Sequence, residues 1–127
     1  MSARVLMVND DHDTIEAFRR LLDALGHSMT AAQSATQGLA SMNATAPDIV
    51  LLSLDLRGIR GLDALPVLRH YHPAVPIIAL TAVVDPLTER QTRSLGAVDV
   101  LLAPVEIDRL AAALDRAIDH RPRSAPP

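Results

Sequence analysis

Five short, largely apolar runs alternate with five stretches of helical periodicity, and that alternation leaves few folds open to the chain. The runs are ARVLMV at 3–8, HSMTAA at 27–32, DIVLLSL at 48–54, VPIIAL at 75–80 and AVDVLL at 97–102. A strand wetted on one face alternates apolar with polar residues. A run such as IVLL is apolar at successive positions, which calls for cover on both faces. Strands of that kind alternating with helices imply an α/β fold, a parallel sheet layered between helices and joined by right-handed crossovers. Ligands of such sheets sit beyond the carboxyl ends of the strands.

The helical segments carry their own punctuation. Asp13 is placed to cap a helix over about 14–25, in which Ile15, Phe18, Leu22 and Leu25 recur at helical spacing before Gly26. Ser34 is placed to cap a second helix running to about Met42 or Asn43. A third spans about Leu62 to Tyr71, with Pro66 in its first turns. Asp85-Pro86 starts a fourth, a capping residue followed by Pro at the first helical position, which ends near Leu95 before Gly96. The fifth runs from Glu106 to His120, with Ile107, Leu110, Leu114 and Ile118 on one face.

The chain has 127 residues and is 49% hydrophobic, enough for one domain with its own core. Net charge is -3 at pH 7, and no clustered basic face announces nucleic-acid binding. All 12 basic residues are Arg, which removes lysine chemistry from the chain. Without Cys there are no disulfides or thiolate metal sites. No apolar run approaches the roughly 18 residues of a membrane span, and no signal peptide is read at the N-terminus. A cytoplasmic domain is expected.

The strand ends carry Asn9-Asp10-Asp11, Ser53-Leu54-Asp55, Thr81-Ala82 and Ala103-Pro104. At this point the chain resembles the receiver domains of response regulators, the CheY-like superfamily of two-component systems. VLMVNDDHDTIEAFRRLL is similar to that family's first strand and helix, DIVLLSLDLRGIRGLDALPVL to its third strand and following loop. VPIIALTA and GAVDVLLAPVEIDRLAAAL are similar to the last two strand regions. The resemblance covers residues 3 to about 120. It implies a three-layer (βα)5 flavodoxin-like fold with a five-stranded parallel sheet in the order 2-1-3-4-5. Residues 1–120 would form the receiver-like domain and residues 121–127 a flexible tail or the start of a linker.

The resemblance also implies roles, and three positions depart from them. Receivers place an acidic pair after the first strand to help bind Mg²⁺; here Asn9 precedes Asp10. They place an acceptor Asp at the end of the third strand; here stands Ser53. They place a Lys before a Pro after the fifth strand; here Ala103 precedes Pro104, whose bond the resemblance makes a candidate for the cis form. Thr81 matches the residue that contacts phosphoryl oxygens. Val100 replaces the common aromatic after Asp99. Ser is a weak nucleophile without a neighbouring base, and Ala103 offers no cation to developing phosphate charge. The expectation is an atypical receiver that signals through protein–protein interaction without phosphorylation and is not an enzyme. The alternatives are phosphoryl acceptance on Asp55 or Ser53, and a small-ligand-binding regulatory module.

Strand side chains alternate, so Ser53 and Asp55 share a direction if the strand continues that far. Asp10, Asp11 and Asp55 are then the candidate ligands of a weak Mg²⁺ site, the one cofactor considered and not a required one. Their plainer roles are capping free amides at a helix start and in a loop. Thr81 equally suits backbone capping at the strand end. The expected partners are a regulatory protein, such as a histidine kinase or an attached output domain, or a second copy across the fourth helix, fifth strand and fifth helix. Arg90, Arg93, Asp99, Val100 and Arg109 are assigned to that face. Nucleic-acid and membrane partners are not expected. The five His residues show no metal spacing, and Gly58 and Gly61 form no dinucleotide fingerprint but suit the turn after the third strand.

Overall fold

In the computed structural model, residues 2–83 and 85–119 are described. The chain alternates strictly: β1 (Arg4–Val8), α1 (His12–Ala24), β2 (Ser28–Ala32), α2 (Ala35–Thr45), β3 (Ile49–Ser53), α3 (Gly61–Tyr71), β4 (Ile77–Thr81), α4 (Pro86–Ser94), β5 (Asp99–Leu102) and α5 (Ile107–Asp119). The strands form one parallel sheet in the order β2-β1-β3-β4-β5. This is the expected topology, and its strand order reverses between β1 and β3. The expected tail at 121–127 lies outside the described residues, as does His120.

The apolar runs form strands because each feeds two cores at once. Val5 and Met7 of β1 and Ile49 and Leu51 of β3 pack with Ile15, Phe18 and Leu22 of α1 and Leu110 and Leu114 of α5. Their chain neighbours Leu6, Val8, Val50 and Leu52 face the other way, against Met42 of α2 and Leu65 and Leu68 of α3. Every residue of β3 and β4 is buried. Each buried Leu, Ile or Val contributes about 1.5–3 kcal/mol relative to exposure, so this pattern outweighs local propensity.

Boundaries moved where side chains did more than expected. Asp11, not Asp13, caps α1: it is extended at φ -95° and accepts the Thr14 amide, while Asp13 falls inside the first turn. Ser34 and Asp85 cap α2 and α4 as read. Because α3 starts at Gly61, Pro66 is its sixth residue, deeper than its first turn, and the helix continues across it. The buried stripe of α5 is Leu110, Ala113, Leu114 and Ala117, whereas Ile107 is exposed. Gly58 adopts φ +75° in the turn after β3, a conformation Gly takes without steric cost. Gly61 serves close approach instead: a Cβ there would lie 2.3 Å from the Ser53 carbonyl oxygen.

Candidate functional site

The carboxyl ends of β1, β3, β4 and β5 surround a cavity of about 210 Å³ lined by Asn9, Asp10, Asp11, Ser53, Asp55, Thr81, Ala82 and Ala103 among others. Parallel strands have their carboxyl ends at one edge, so residues distant in sequence meet there. Asn9 closes its own turn. Its amide donates to the Ala32 carbonyl at 2.9 Å, and its Oδ1 accepts the Asp11 amide at 2.9 Å. Asn9 is buried, and this bond gives its side-chain oxygen a donor.

Ser53 is buried at the end of β3, and its Oγ accepts the Asp55 amide at 3.2 Å. The strand stops at Ser53, so the alternation argument for Asp55 fails in its premise. The chain turns there, and that turn still brings the exposed Asp55 to the rim of the same cavity. Its Oδ2 accepts the Ala82 amide at 3.1 Å. Thr81 is buried with its hydroxyl directed along its own loop: Oγ1 donates to the Val83 carbonyl at 3.0 Å and accepts the Val83 amide at 3.2 Å. That is the backbone-capping role. Ala103 donates its amide to the Thr81 carbonyl at 2.8 Å, and the Ala103-Pro104 bond is cis.

The acidic residues share the cavity without converging on one point. Asp10 Oδ2 accepts the Arg57 amide at 2.8 Å, Asp11 caps α1 through the Thr14 amide and hydroxyl, and Asp55 takes Ala82. Among the described residues no three His, Cys, Asp or Glu side chains are grouped to hold a metal ion. Asp10, Asp11 and Asp55 each give Oδ2 to a backbone amide, and among the described residues the second oxygen of each takes no bond there. Among the described residues no Arg or His side chain lines the cavity.

The face assigned to α4, β5 and α5 splits in two. Asp99 is bound from both sides, by Arg93 of α4 at 3.1 Å and Arg116 of α5 at 2.8 Å, and its Oδ1 also accepts the Val100 amide at 2.9 Å. Burial pushes the Asp99 carboxyl up, but the Arg116 hydrogen bond, the Val100 amide, Arg93 and the Arg116 charge together hold it below its ordinary value. Asp99 and Arg93 therefore bond within the domain. Arg90 and Arg109 are exposed and make no ion pair among the described residues. Val100 packs against the core rather than forming an open patch; the exposed apolar residues of this region include Val83, Leu87, Val98, Leu102 and Ile107. Sequence reasoning missed Arg116, which lies 17 residues from Asp99 on another element with no local spacing to betray the pairing. It also missed the Arg57 and Ala82 amides, since any residue type supplies an amide.

A doubly wound parallel sheet with an acidic cavity at its carboxyl edge places the chain in the class of open α/β domains whose site lies beyond the strand ends. The comparisons specify which: residues 5–115 match the response regulator receiver domain, and the chain belongs to that family. It is similar to the DNA-binding transcriptional regulator NtrC of Klebsiella pneumoniae, 33% identical over 125 residues covering 94% of this chain and 27% of the relative. The transcriptional regulatory protein ZraR of Escherichia coli K12 is 28% identical over 116 residues, covering 91% of this chain and 26% of the relative. The chain thus spans about a quarter of the length of these curated relatives. Among solved structures, NtrX from Brucella abortus aligns with TM-score 0.88 at 30% identity, over 94% of this chain and 27% of that one. A putative response regulator from Chloroflexus aurantiacus gives TM-score 0.88 at 24% identity over 94% of this chain and all of its own, a likeness of fold. Among the described residues no helix is long and apolar enough to cross a membrane.

Proposed function

We propose that this domain is a cytoplasmic receiver in two-component signal transduction that accepts a phosphoryl group on Asp55 and passes the signal on through protein–protein contact. One observation carries the choice of residue: Asp55 is an exposed carboxylate at the cavity rim, whereas Ser53 is buried, tied to the Asp55 amide and without a base to activate it. Kinship with the regulators NtrC, ZraR and LuxO supports phosphoryl acceptance over a phosphorylation-independent role. In the transfer, a carboxylate oxygen of Asp55 bonds to phosphorus as the donor's P–N or P–O bond breaks, and the leaving group takes the electron pair and a proton. The donor would be a histidine kinase and the recipient of the signal an output domain or a second copy. Exposed Arg90 and Arg109 and the apolar Val83 and Leu87 are available for that contact.

A second reading has its own support. Ser53 stands at the end of β3, Ala103 precedes the cis Pro104, and no cation lines the cavity among the described residues. These features favour an interaction module that has lost the usual acceptor and Lys. Mg²⁺ binding by Asp10, Asp11 and Asp55 would use the carboxylate oxygens that the amides leave open. Incubation with Mg²⁺ and a small phosphodonor, followed by intact mass without acid, separates the readings. A gain of about 80 Da that disappears in Asp55→Asn is expected. No gain in the native chain would overturn acceptance and leave the interaction module. A gain lost only in Ser53→Ala would move the acceptor to the hydroxyl.

A further inference from the structure

One face of the domain stands apart from both the acidic cavity and the α4–β5–α5 face. Residues 28–47, which hold β2 and α2, contain no Asp, Glu or Arg in a chain that is 21% charged. A surface helix ordinarily carries charge on its outer side, yet α2 exposes Thr36, Gln37, Ala40, Asn43, Ala44 and Thr45. Beside it, α3 and the turn before it expose Ile59 at 54%, Val67 at 47% and Tyr71 at 61%. Between the two helices lies an apolar cavity of about 140 Å³, lined by Leu39 of α2 and by Ile59, Ala64, Val67 and Leu68 among others. At the C-terminal ends of the helices, His72 Nε2 donates to Asn43 Oδ1 at 2.7 Å and ties α2 to α3. The charges of α3 and its cap are used elsewhere. Arg60 and Asp63 pair with each other at 3.3 Å, and Arg69 packs over Gly96 with its guanidinium on the Pro73 carbonyl at 2.9 Å.

We propose that the seam between α2 and α3 is the contact face for a second copy of this domain, related by a two-fold axis. Charge selects the occupant. Net charge is -3 at pH 7, so two copies repel overall and meet at least cost where neither carries charge. A charged partner would lose hydration against this face and find no counter-charge there. Shape agrees with a second copy. A two-fold contact matches one patch with itself. Ile59 lies just before α3, Tyr71 ends it, and Val67 stands between them. An axis near Val67 sets that residue beside its own counterpart and Ile59 of each copy towards Tyr71 of the other. Each copy then covers the apolar cavity of its partner. The patch is small, so the dimer is a weak one that forms and parts with concentration. It leaves Val83 and Leu87 open to an output domain, and it does not depend on phosphoryl acceptance.

Sedimentation equilibrium of the 127-residue chain over a roughly hundredfold range of concentration tests this. The native chain should pass from monomer to dimer as concentration rises. Val67→Asp sets two carboxylates face to face across the axis and should raise the dissociation constant roughly tenfold or more. Val67→Arg should do the same. An equimolar mixture of the two variants should associate again through unlike charges, a recovery that misfolded chains would not give. Leu87→Asp, on the exposed side of α4, should leave association unchanged. A native chain that stays monomeric throughout would overturn the proposal. So would an association that survives Val67→Asp and is lost in Leu87→Asp, which would move the contact to α4. A mixture that fails to recover would overturn the two-fold axis at Val67.

Discussion

Replacing Asp99 by Asn tests how α4, β5 and α5 are held together. Asn keeps the size of the side chain and an oxygen for the Val100 amide, but it removes the charge that Arg93 and Arg116 share. The Asp99 side chain is only 14% exposed, whereas the two Arg side chains are 45% and 60% exposed. The Arg heads are therefore partly hydrated and lose only part of their stabilisation. Each pair should contribute about 0.5–1 kcal/mol, so the substitution should cost about 1–2 kcal/mol and lower the melting midpoint by roughly 4–8 °C. Urea unfolding should show a lower midpoint at unchanged slope, since the surface exposed on unfolding is the same. The pH dependence has a definite sign. The folded carboxyl lies below its ordinary value of 3.8, so the stabilisation is present above that value. It is lost as pH falls through the lower folded value. The native protein should lose its advantage over Asp99→Asn in that acid window, and neither should converge with the other near neutrality. Equal midpoints at neutral pH, within about 0.3 kcal/mol, would refute the clamp and leave two surface ion pairs of no consequence.

Two further substitutions probe the frame of the site. Gly61→Ala places a Cβ 2.3 Å from the Ser53 carbonyl oxygen and 2.6 Å from the Leu54 Cα, both backbone, so no rotamer change relieves it. A loss of about 2–3 kcal/mol in urea unfolding is expected, with resonances of the β3–α3 loop displaced; a loss below about 0.5 kcal/mol would mean that the loop yields easily. His27→Ala removes the buried ring whose Nδ1 accepts the Ala3 amide at 2.9 Å at the far end of the sheet. It should cost about 1–3 kcal/mol, and His27→Asn, which offers an acceptor near the same place, should recover part; no recovery would assign the loss to packing instead.

The fold was legible because its signal is repeated. Residues such as Val5 and Leu6, or Leu51 and Leu52, are apolar at successive positions, and only a strand covered on both faces uses both. Pro86 after Asp85, and Ser34 before α2, marked helix starts through chemistry local to a few residues. The α1 start was misplaced because three acidic residues stand within four positions. Only the backbone geometry at Asp11 shows which one caps. The location of the site followed from topology, and its members Asn9, Asp10, Asp11, Ser53, Asp55, Thr81 and Ala103 do meet in one cavity. Their bonding was not legible. Sequence gives residue types, whereas Asp10 and Asp55 bond to backbone amides contributed from 47 and 27 residues away.

The two acidic centres of the domain are built on opposite terms, and the contrast bears on what Asp55 does. Asp99 is compensated by the charges of Arg93 and Arg116. Asp55, Asp10 and Asp11 are compensated by amides, in a cavity that no cation lines among the described residues. Amide dipoles hold a carboxylate in place without neutralising it, so the cavity keeps its negative character. Approach of an anionic phosphodonor to such a cavity is opposed unless a cation accompanies it. Loss of the Asp55 carboxylate therefore has two effects of different kind: it removes the candidate nucleophile and it frees the Ala82 amide. A signalling defect in Asp55→Ala would follow from either. Asp55→Asn keeps an uncharged acceptor for the Ala82 amide and Asp55→Ala keeps none, so a defect equal in the two variants follows the lost nucleophile and a graded one follows the loop.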